Sequence, residues 1–341
     1  TTIDNPADYF NTVLYTGTGS NNSITGVGFQ PDWVWQKRRD SSANHELTDS
    51  VRGINSTLVT NSSNAQDTGT DKLQSFDSDG FTAGSSSTAN ASGGTYASWN
   101  WYTGATASSN TDGSITSSVS ANTTAGFSIV SWTGTQANAT VGHGLGSTPK
   151  MIIIKCRDSS DAWFVYHEAY GATKYLILNT TAATVTASTP FNDTAPTSSV
   201  FSLGADGNTN ESGSGMIAYC FAEKKGYSKF GSYTGNGNAD GTFVYTGFKP
   251  AFVIHKRFDA TNNWHMVDNK RDTFNPTDLQ LYPNVSNSEF AETDGMDFLS
   301  NGFKARESST WINASGGTYI YMAFAENPFV TAGTKAAGTA R

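Results

Sequence analysis

The 341-residue sequence is poor in cysteine, in charge and in long apolar runs, and each shortage excludes a class of protein. Two cysteines are too few for a disulfide framework or for a zinc site made of four cysteines. The longest purely aliphatic run, Met151–Ile154, is far too short to cross a bilayer. The N-terminal stretch has neither a basic start nor an apolar core, so we expect no secretory signal peptide.

Charged residues make up only 15% of the chain, against about 25% in a typical globular protein. The formal net charge is −8, and the lysines and arginines are scattered along the sequence instead of clustered. Nucleic acids and anionic membranes both attract basic patches, so we expect neither as a partner. The heptad repeats of a coiled-coil stalk are also missing.

Aromatic and small polar residues are abundant instead. The chain has 20 Phe, 14 Tyr, 8 Trp and 34 Gly, and most of its polarity comes from Ser, Thr and Asn. The aromatic residues supply enough apolar area for a folded core, which excludes disorder for most of the chain. Short runs of aromatic and β-branched residues, separated by Gly, Asn and Ser, predict an all-β protein.

Three stretches of the chain repeat one pattern, and this repetition is the strongest signal in the sequence. Each stretch has a Thr-Gly turn, then an apolar run led by proline, then a lysine and an aspartate. The prolines are Pro31, Pro149 and Pro250, the lysines Lys37, Lys155 and Lys256, and the aspartates Asp40, Asp158 and Asp259. Because the spacing is the same each time, we predict three copies of one structural unit.

The match continues downstream of the aspartates. A short apolar run ends in asparagine in each unit, at Asn61, Asn179 and Asn284. The heptapeptide "NASGGTY" leads into an aromatic closing strand at Asn90–Tyr96 and again at Asn313–Tyr319, and "NESGSG" from Asn210 takes its place in the second unit. Asn, Ser and paired Gly suit the positive φ angles of a tight turn. We therefore interpret the heptapeptide as a turn, in preference to a ligand-binding signature.

The apolar runs are four to seven residues long, with turn signals every eight to twelve residues, a spacing typical of an antiparallel sandwich. We predict three tandem antiparallel β-sandwich repeats of the jelly-roll or lectin-like type. They span residues 1–103, 126–223 and 224–330, with a Ser/Thr/Gly-rich connector at 104–125 and an extended tail at 331–341. The long connector predicts that the first unit is more independent than the other two.

No catalytic signature is present. The repeated aspartates could form a glycosidase-like pair with Glu46 or Asp49, but an acid at the same place in three units more often closes a turn. The five histidines lack metal-binding spacing, and "VGHGLG" around His143 lacks the lysine and helix of a phosphate loop. We expect no enzyme, no metal site and no cofactor.

A ligand site is the more promising hypothesis. The position five residues after each aspartate holds His45, Trp163 and Trp264, and Arg52 and Arg271 lie seven residues beyond the first and third of these. Lectins stack aromatic faces on sugar rings beside polar side chains, so these five residues are our candidates for glycan binding. The alternative is that they belong to the core, which the apolar run "WFVYH" around Trp163 favours.

Both cysteines lie in the second unit. Cys156 ends the proline-led strand and Cys220 lies in the closing strand. If those strands are neighbours, the two thiols could pair, whereas strand alternation could equally place them on opposite faces. Two buried free thiols are the other interpretation.

Longer segments of the chain include "SVSANTTAGFSIVSWTG" from Ser118, "VGHGLGSTPKMIIIK" from Val141 and "SGGTYIYMAFAENPFV" from Ser315. In these segments the sequence resembles a repeat-bearing β-rich family of marine tailed bacteriophages, whose members are described as tail-fibre-like or virion structural proteins. The resemblance implies a component of the virion exterior, on the tail or capsid surface, made in the host cytoplasm without a signal peptide. It transfers no catalytic residue.

We therefore expect a non-enzymatic phage protein of the tail or fibre that attaches to a host surface glycan or protein. Other virion proteins would be its partners, with no nucleic acid and no membrane insertion, and the resemblance favours a homotrimer. A capsid decoration or tail-assembly protein that contacts only other virion proteins is the alternative. A polysaccharide depolymerase is a third hypothesis.

Overall fold

The computed structural model describes residues 2–331, and it is nearly all β, with 45% strand and 3% helix. The predicted all-β class is therefore confirmed. The helical segments of the described chain are one 3-10 turn and two single-turn helices, at Pro6–Asp8, Ser87–Asn90 (α1) and Gly207–Asn210 (α2). Apart from Thr331, the predicted tail lies outside the described residues.

The first unit forms two antiparallel sheets. Its strands are β1 Phe10–Thr16, β2 Asn22–Thr25, β3 Trp33–Arg38, β4 His45–Asp49, β5 Thr57–Val59, β6 Leu73–Asp77, β7 Gly80–Ala83 and β8 Thr95–Trp101. The larger sheet has the order β1-β8-β3-β4-β5, and the smaller has the order β2-β7-β6. Val34 of the larger sheet packs with Ile24 and Phe81 of the smaller one, so a small hydrophobic core joins the two sheets.

The second unit has a larger sheet of eight strands and a smaller one of two. The strands, with two from the predicted connector, are β9 Ser108–Asn110, β10 Ser117–Asn122, β11 Phe127–Thr133, β12 Ala139–Gly142, β13 Met151–Cys156, β14 Phe164–His167, β15 Lys174–Ile177, β16 Val185–Thr186, β17 Val200–Leu203 and β18 Gly215–Phe221. The orders are β16-β15-β14-β13-β18-β11-β10-β9 and β12-β17.

Two strands, β9 and β10, lie within residues 104–125, which were predicted to form an extended connector. Strand β10 pairs with β11 in antiparallel register, with Val119 opposite Val130. Ile115 donates its main-chain N–H to the carbonyl of Thr140 and so covers the edge of β12. A Ser- and Thr-rich composition hid these strands, because threonine suits a strand and only every second residue has to be apolar.

The third unit again forms two antiparallel sheets. Its strands are β19 Ser228–Thr234, β20 Phe243–Tyr245, β21 Phe248–Arg257, β22 Trp264–Asp268, β23 Thr277–Gln280, β24 Phe290–Leu299, β25 Gly302–Ala305 and β26 Thr318–Pro328. The orders are β19-β26-β21-β22 and β20-β25-β24-β23. Val253 and Tyr321 of the first sheet share a core with Phe298 and Phe303 of the second.

We call β1, β11 and β19 the opening strands of the three units. The closing strand of each unit lies between its opening strand and its proline-led strand, in the orders β1-β8-β3, β11-β18-β13 and β19-β26-β21. The repeated lysines occupy the same register in these sheets, with Lys37 opposite Ala97, Lys155 opposite Ile217 and Lys256 opposite Ile320. The repeated spacing in the sequence therefore corresponds to a repeated position in space.

The heptapeptide "NASGGTY" is a turn in both places. Gly93 and Gly316 have φ angles of 75° and 72°, which glycine adopts without strain. The preceding asparagines, Asn90 and Asn313, are fully buried, and each side-chain oxygen accepts a main-chain N–H from the loop after the opening strand, at 2.9 Å. The turn interpretation is confirmed, and asparagine is needed there to fix a loop.

One face of each larger sheet packs into a hydrophobic core that all three units share. Trp33 of the first unit stacks on Tyr219 of the second with ring centroids 4.3 Å apart. Phe10 of the first unit stacks on Phe324 of the third at 4.9 Å. The expectation that the first unit is more independent is therefore wrong, because its larger sheet carries aromatic rings that only the neighbouring units can cover.

Candidate functional site

The five predicted glycan-binding residues all lie in the interior. His45, Trp163 and Trp264 are at most 1% exposed, and the side chains of Arg52 and Arg271 are 0% exposed. No aromatic face among them is open to stack on a sugar ring. A glycan site would need these residues on a solvent-facing surface, whereas their burial agrees with the alternative that they belong to the core.

The three aromatic positions instead join one unit to the next. The indole N–H of Trp163 donates to the carbonyl of Val59 in the first unit, at 2.9 Å. The indole N–H of Trp264 donates to the carbonyl of Ile177 in the second unit, at 3.0 Å. His45 of the first unit lies beside the main chain of Tyr282 in the third. The three acceptor segments occupy one register, two residues before the repeated asparagines, so the contacts run in a closed cycle.

A main-chain hydrogen bond follows the same cycle. In each bond the donor is the main-chain N–H of the residue five positions after the repeated asparagine of one unit. The acceptor is the carbonyl of the residue two positions after the repeated lysine of the next unit. The pairs are Gln66 N–H to Arg157 O at 2.7 Å, Thr184 N–H to Phe258 O at 2.9 Å and Glu289 N–H to Arg39 O at 2.8 Å. We call this set of equivalent contacts the ring interface.

The repeated lysines are buried beside the ring interface. Lys37, Lys155 and Lys256 are 0% exposed, and each ammonium donates to the carbonyl of the following residue, at 2.5–2.6 Å. Lys37 and Lys256 also approach carbonyls of the neighbouring unit, Ser286 and Thr181, at 3.4 Å. Burial lowers the pKa of each lysine to about 8. These ammonium groups satisfy buried carbonyl oxygens and are not part of a basic surface.

The repeated aspartates hold the start of each closing strand. Asp40 accepts the N–H of Thr95 at 3.2 Å, and Asp158 accepts the equivalent N–H of Gly215 at 2.6 Å. A hydrogen bond from the Arg38 guanidinium holds the pKa of Asp40 at about 2. Asp40 is therefore an ionised structural group.

The glycosidase-like pairs considered for Asp40 are not formed. Asp40 is bound to Arg38, Glu46 to Lys72 at 2.7 Å, and Asp49 to Arg52 at 2.5 Å. Each acid therefore has its own basic partner, and two of the three acids are buried. No two of these three carboxylates share a site.

The two arginines of the predicted site belong to buried ion pairs at the shared core. Arg52 binds Asp49, which also accepts the hydroxyl of Tyr219 in the second unit at 2.8 Å. Arg271 binds Asp268 at 2.5 Å, and Asp268 also accepts the indole N–H of Trp99 in the first unit at 3.1 Å. The sequence contained a signal for these pairs, since aspartate precedes arginine by three residues in both places.

The two cysteines are free and buried, so the predicted thiol pair is not formed. Cys220 lies opposite Ile152, whereas Cys156 lies opposite Met216, four positions further along the same strand pair. At about 3.3 Å per residue the two positions are about 13 Å apart. Both thiols pack into the same core of the second unit, so they lie on the same face of the sheet. They are kept apart by their distance along the strands.

Cys156 belongs to a small polar cluster with Asp161 and Glu211, whose ligand-type atoms lie within 4.8 Å of one another. Such a group could hold a metal ion. Glu211 already accepts hydrogen bonds from Ser159, Ser214 at 2.7 Å and the thiol of Cys156 at 3.3 Å, and burial raises the pKa of that thiol. Its own hydrogen bonds account for the cluster, and we assign it no metal.

Large apolar side chains are exposed mainly in the third unit. Phe243 and Tyr245 are 44% and 56% exposed on strand β20, and Phe274 is 79% exposed in the loop after β22. Strand β20 is the edge of its sheet in the described chain. The equivalent edge in the second unit is β12, which Ile115 covers, so the third unit presents the more open edge.

Loss of one hydrogen bond of the ring interface is expected to lower the free energy of unfolding. Trp163→Phe removes the indole donor to the partly buried carbonyl of Val59, so we expect about 1–3 kcal/mol less free energy of unfolding in urea titrations. Trp132→Phe is the matched control, because the Trp132 indole nitrogen is buried without a hydrogen-bond partner in residues 2–331. Equal costs for the two variants would contradict the role of the bond.

The chain matches one known protein family. A family model described as a domain of unknown function, DUF7483, matches residues 5–328, so the chain belongs to that family. No curated protein and no solved structure matches the chain. The described residues contain no helix that is long and apolar enough to span a membrane.

Proposed function

We propose that this member of the DUF7483 family is a non-enzymatic structural protein of a bacteriophage particle, located in the tail or fibre. Its three units would display loops that attach the particle to a host surface glycan or protein. The ring interface is the observation that carries the proposal, because it assigns a structural task to residues that otherwise suggested a ligand site.

The architecture that accompanies this proposal is three copies of one β-sandwich module in tandem. Two observations support it: the common strand order around each closing strand and the common register of Lys37, Lys155 and Lys256. The cyclic hydrogen bonds and the hydrophobic core shared by the three units support an arrangement of three modules around one centre. One chain would thus provide the threefold arrangement that many particle proteins obtain from three chains.

The absence of an enzymatic role is supported by how the repeated ionisable groups are used. The lysines donate to main-chain carbonyls, and the aspartates accept main-chain N–H groups at the closing strands. A catalytic acid or base needs access to a substrate, which the buried lysines do not have. The aspartates are exposed, but Asp40 and Asp259 are also engaged by a neighbouring arginine.

A capsid decoration or tail-assembly protein is the second candidate, and the exposed side chains of the third unit favour it. Phe243, Tyr245 and Phe274 offer apolar area of the kind that protein interfaces cover. Contacts with other virion proteins alone would use this surface without any host ligand.

Binding to host cells and to a glycan array separates the two candidates. We expect the purified full chain to bind cells or at least one glycan class, with half-saturation that does not change in Trp163→Phe. Electron microscopy of particles labelled on this protein should place it at the distal tail. No binding together with a place on the shell lattice would favour decoration, and release of reducing sugar from host polysaccharide would contradict the non-enzymatic proposal.

The oligomeric state needs its own measurement. The homotrimer that the family resemblance favours stays a prediction, and light scattering of the purified chain tests it. A monomer of 36.2 kDa would agree with one chain supplying all three modules, whereas three times that mass would agree with the homotrimer.

A further inference from the structure

At one end of the third unit, a single carboxylate contacts both a lysine and an asparagine. Glu326 accepts the Lys249 ammonium at 3.1 Å through Oε1, and it accepts the Asn269 amide N–H at 2.7 Å through Oε2. Lys249 and Asn269 are each only 7% exposed. An amine, an amide and a carboxylate are therefore held together away from most of the solvent.

Three neighbouring strands bring these side chains together. Lys249 lies on β21, Asn269 directly follows β22, and Glu326 lies on β26, which pairs with the other side of β21. The register between β21 and β26 shifts on both sides of Pro250, where Glu326 is the unpaired residue of β26. The main-chain N–H of Asn269 donates to Ala251, so the asparagine is held beside the irregular end of β21.

A cavity of about 70 Å³ adjoins the group. Asn269 and Glu326 contribute to its wall, together with the apolar side chains of Phe10, Ala251 and Ala325. A cavity of this size has room for one small molecule.

We propose that Lys249 and Asn269 become joined by an isopeptide bond, with Glu326 as the group that transfers the proton. Once the Lys249 ammonium has lost its extra proton to Glu326, the amine attacks the side-chain carbonyl carbon of Asn269, and a new carbon–nitrogen bond forms. Glu326 gives this proton to the amide nitrogen and takes the next one from the lysine nitrogen. The bond from that nitrogen to the carbonyl carbon breaks, and ammonia leaves. No oxidant or co-reactant is needed, and one ammonia is lost for each bond formed.

The other two units provide an internal comparison. The equivalent positions are Gln30, Ser50 and Thr103 in the first unit and Thr148, Glu168 and Glu223 in the second. Neither set combines a lysine with an amide and a carboxylate, so the reaction is confined to the third unit. The bond would tie the start of β21 to the end of β22 and close a loop between the two residues.

Intact mass of the unfolded full chain tests the bond. We expect a mass about 17 Da below the sequence mass, and a protease digest in which the peptides of Lys249 and Asn269 are joined. Lys249→Arg keeps a cation beside Glu326 but cannot form the bond, so it should have the full mass of its own sequence. Glu326→Gln should also have the full mass, because the proton carrier is lost.

The matched control is Glu168→Gln, which removes the surface partner of Lys150 in the second unit. It should keep the mass deficit and the joined peptides. We also expect the thermal midpoint of Lys249→Arg to fall by several degrees below that of the wild type, because the closed loop restricts the unfolded chain. A wild-type chain at full mass, or a deficit that persists in Lys249→Arg, would overturn the proposal.

Discussion

Replacing Arg271 with alanine is expected to lower the free energy of unfolding by about 3–5 kcal/mol, because it leaves the buried Asp268 without its cation, whereas Glu289 keeps its ion pair with Arg39. The guanidinium binds Asp268 at 2.5 Å and Glu289 at 3.1 Å, and it donates to the carbonyl of Met266 at 3.0 Å. Its side chain is 0% exposed, so water cannot replace these contacts without opening the structure. Urea unfolding followed by tryptophan fluorescence measures the change.

Two further variants test the cause of that loss. Arg257→Ala removes the more exposed pair with Asp259 in the same unit, and it should cost at most about 1 kcal/mol. Asp268→Asn in the Arg271→Ala background removes the stranded charge and should recover part of the loss. Equal costs for Arg271→Ala and Arg257→Ala, or no recovery in the double variant, would show that the stranded charge is not the cause.

Acid is expected to destabilise the protein steeply below about pH 6.5, because all five histidines are buried and burial lowers the pKa of each, His143 included. Burial lowers the pKa of His167 to about 4 and that of His255 to about 3, and it also lowers the pKa of His45 and His265. In the unfolded chain each histidine titrates near 6.5. Below that pH the unfolded state therefore binds protons that the folded state cannot, and stability falls as the pH falls.

The size of the acid effect follows from the number of groups. Each histidine contributes up to about 1.4 kcal/mol per pH unit between its unfolded and folded pKa. His167 and His255 together therefore contribute up to about 3 kcal/mol per pH unit between pH 6 and 4, and the other buried histidines add to that slope. Urea midpoints measured at pH 7, 6, 5 and 4 give the slope. The stability from these groups is fully present above about pH 6.5.

His255→Phe isolates one of these histidines. Both ring nitrogens of His255 are buried without a hydrogen-bond partner in residues 2–331, and the ring stacks on His265 and Trp311. Phenylalanine keeps the stacking and cannot be protonated, so we expect unchanged or higher stability at pH 7 and a slope smaller by about one histidine's share. An unchanged slope would mean that His255 does not take part in the acid effect.

The repeated pattern in the sequence was sufficient to predict the all-β class and the turn at "NASGGTY". The class follows from local properties, namely short apolar runs and turn residues, which do not depend on the rest of the fold. The strands at Ser108–Asn110 and Ser117–Asn122 were missed because they are short and polar, and they are held by pairing: β10 pairs with β11, and β9 pairs with β10. Pairing partners far along the chain leave little trace in local composition.

The sequence predicted less of the candidate site than of the fold class. The equivalence of His45, Trp163 and Trp264 was found correctly, but their role was not, because strand alternation gives the face of a residue relative to its own sheet only. What covers that face depends on how the units pack. The pairs Asp49–Arg52 and Asp268–Arg271 could have been suspected from their spacing, whereas their contacts with Tyr219 and Trp99 of other units could not.

The cyclic order of the contacts has a consequence for how the chain is made. During synthesis on the ribosome the first unit emerges long before the segment around Tyr282 that it contacts, so its His45 side of the ring stays open until the third unit has been translated. The second unit, in contrast, can dock on the first as soon as it emerges, because Trp163 contacts Val59. Assembly therefore proceeds from the first unit to the third, and the third unit forms its contacts with both other units at the same stage.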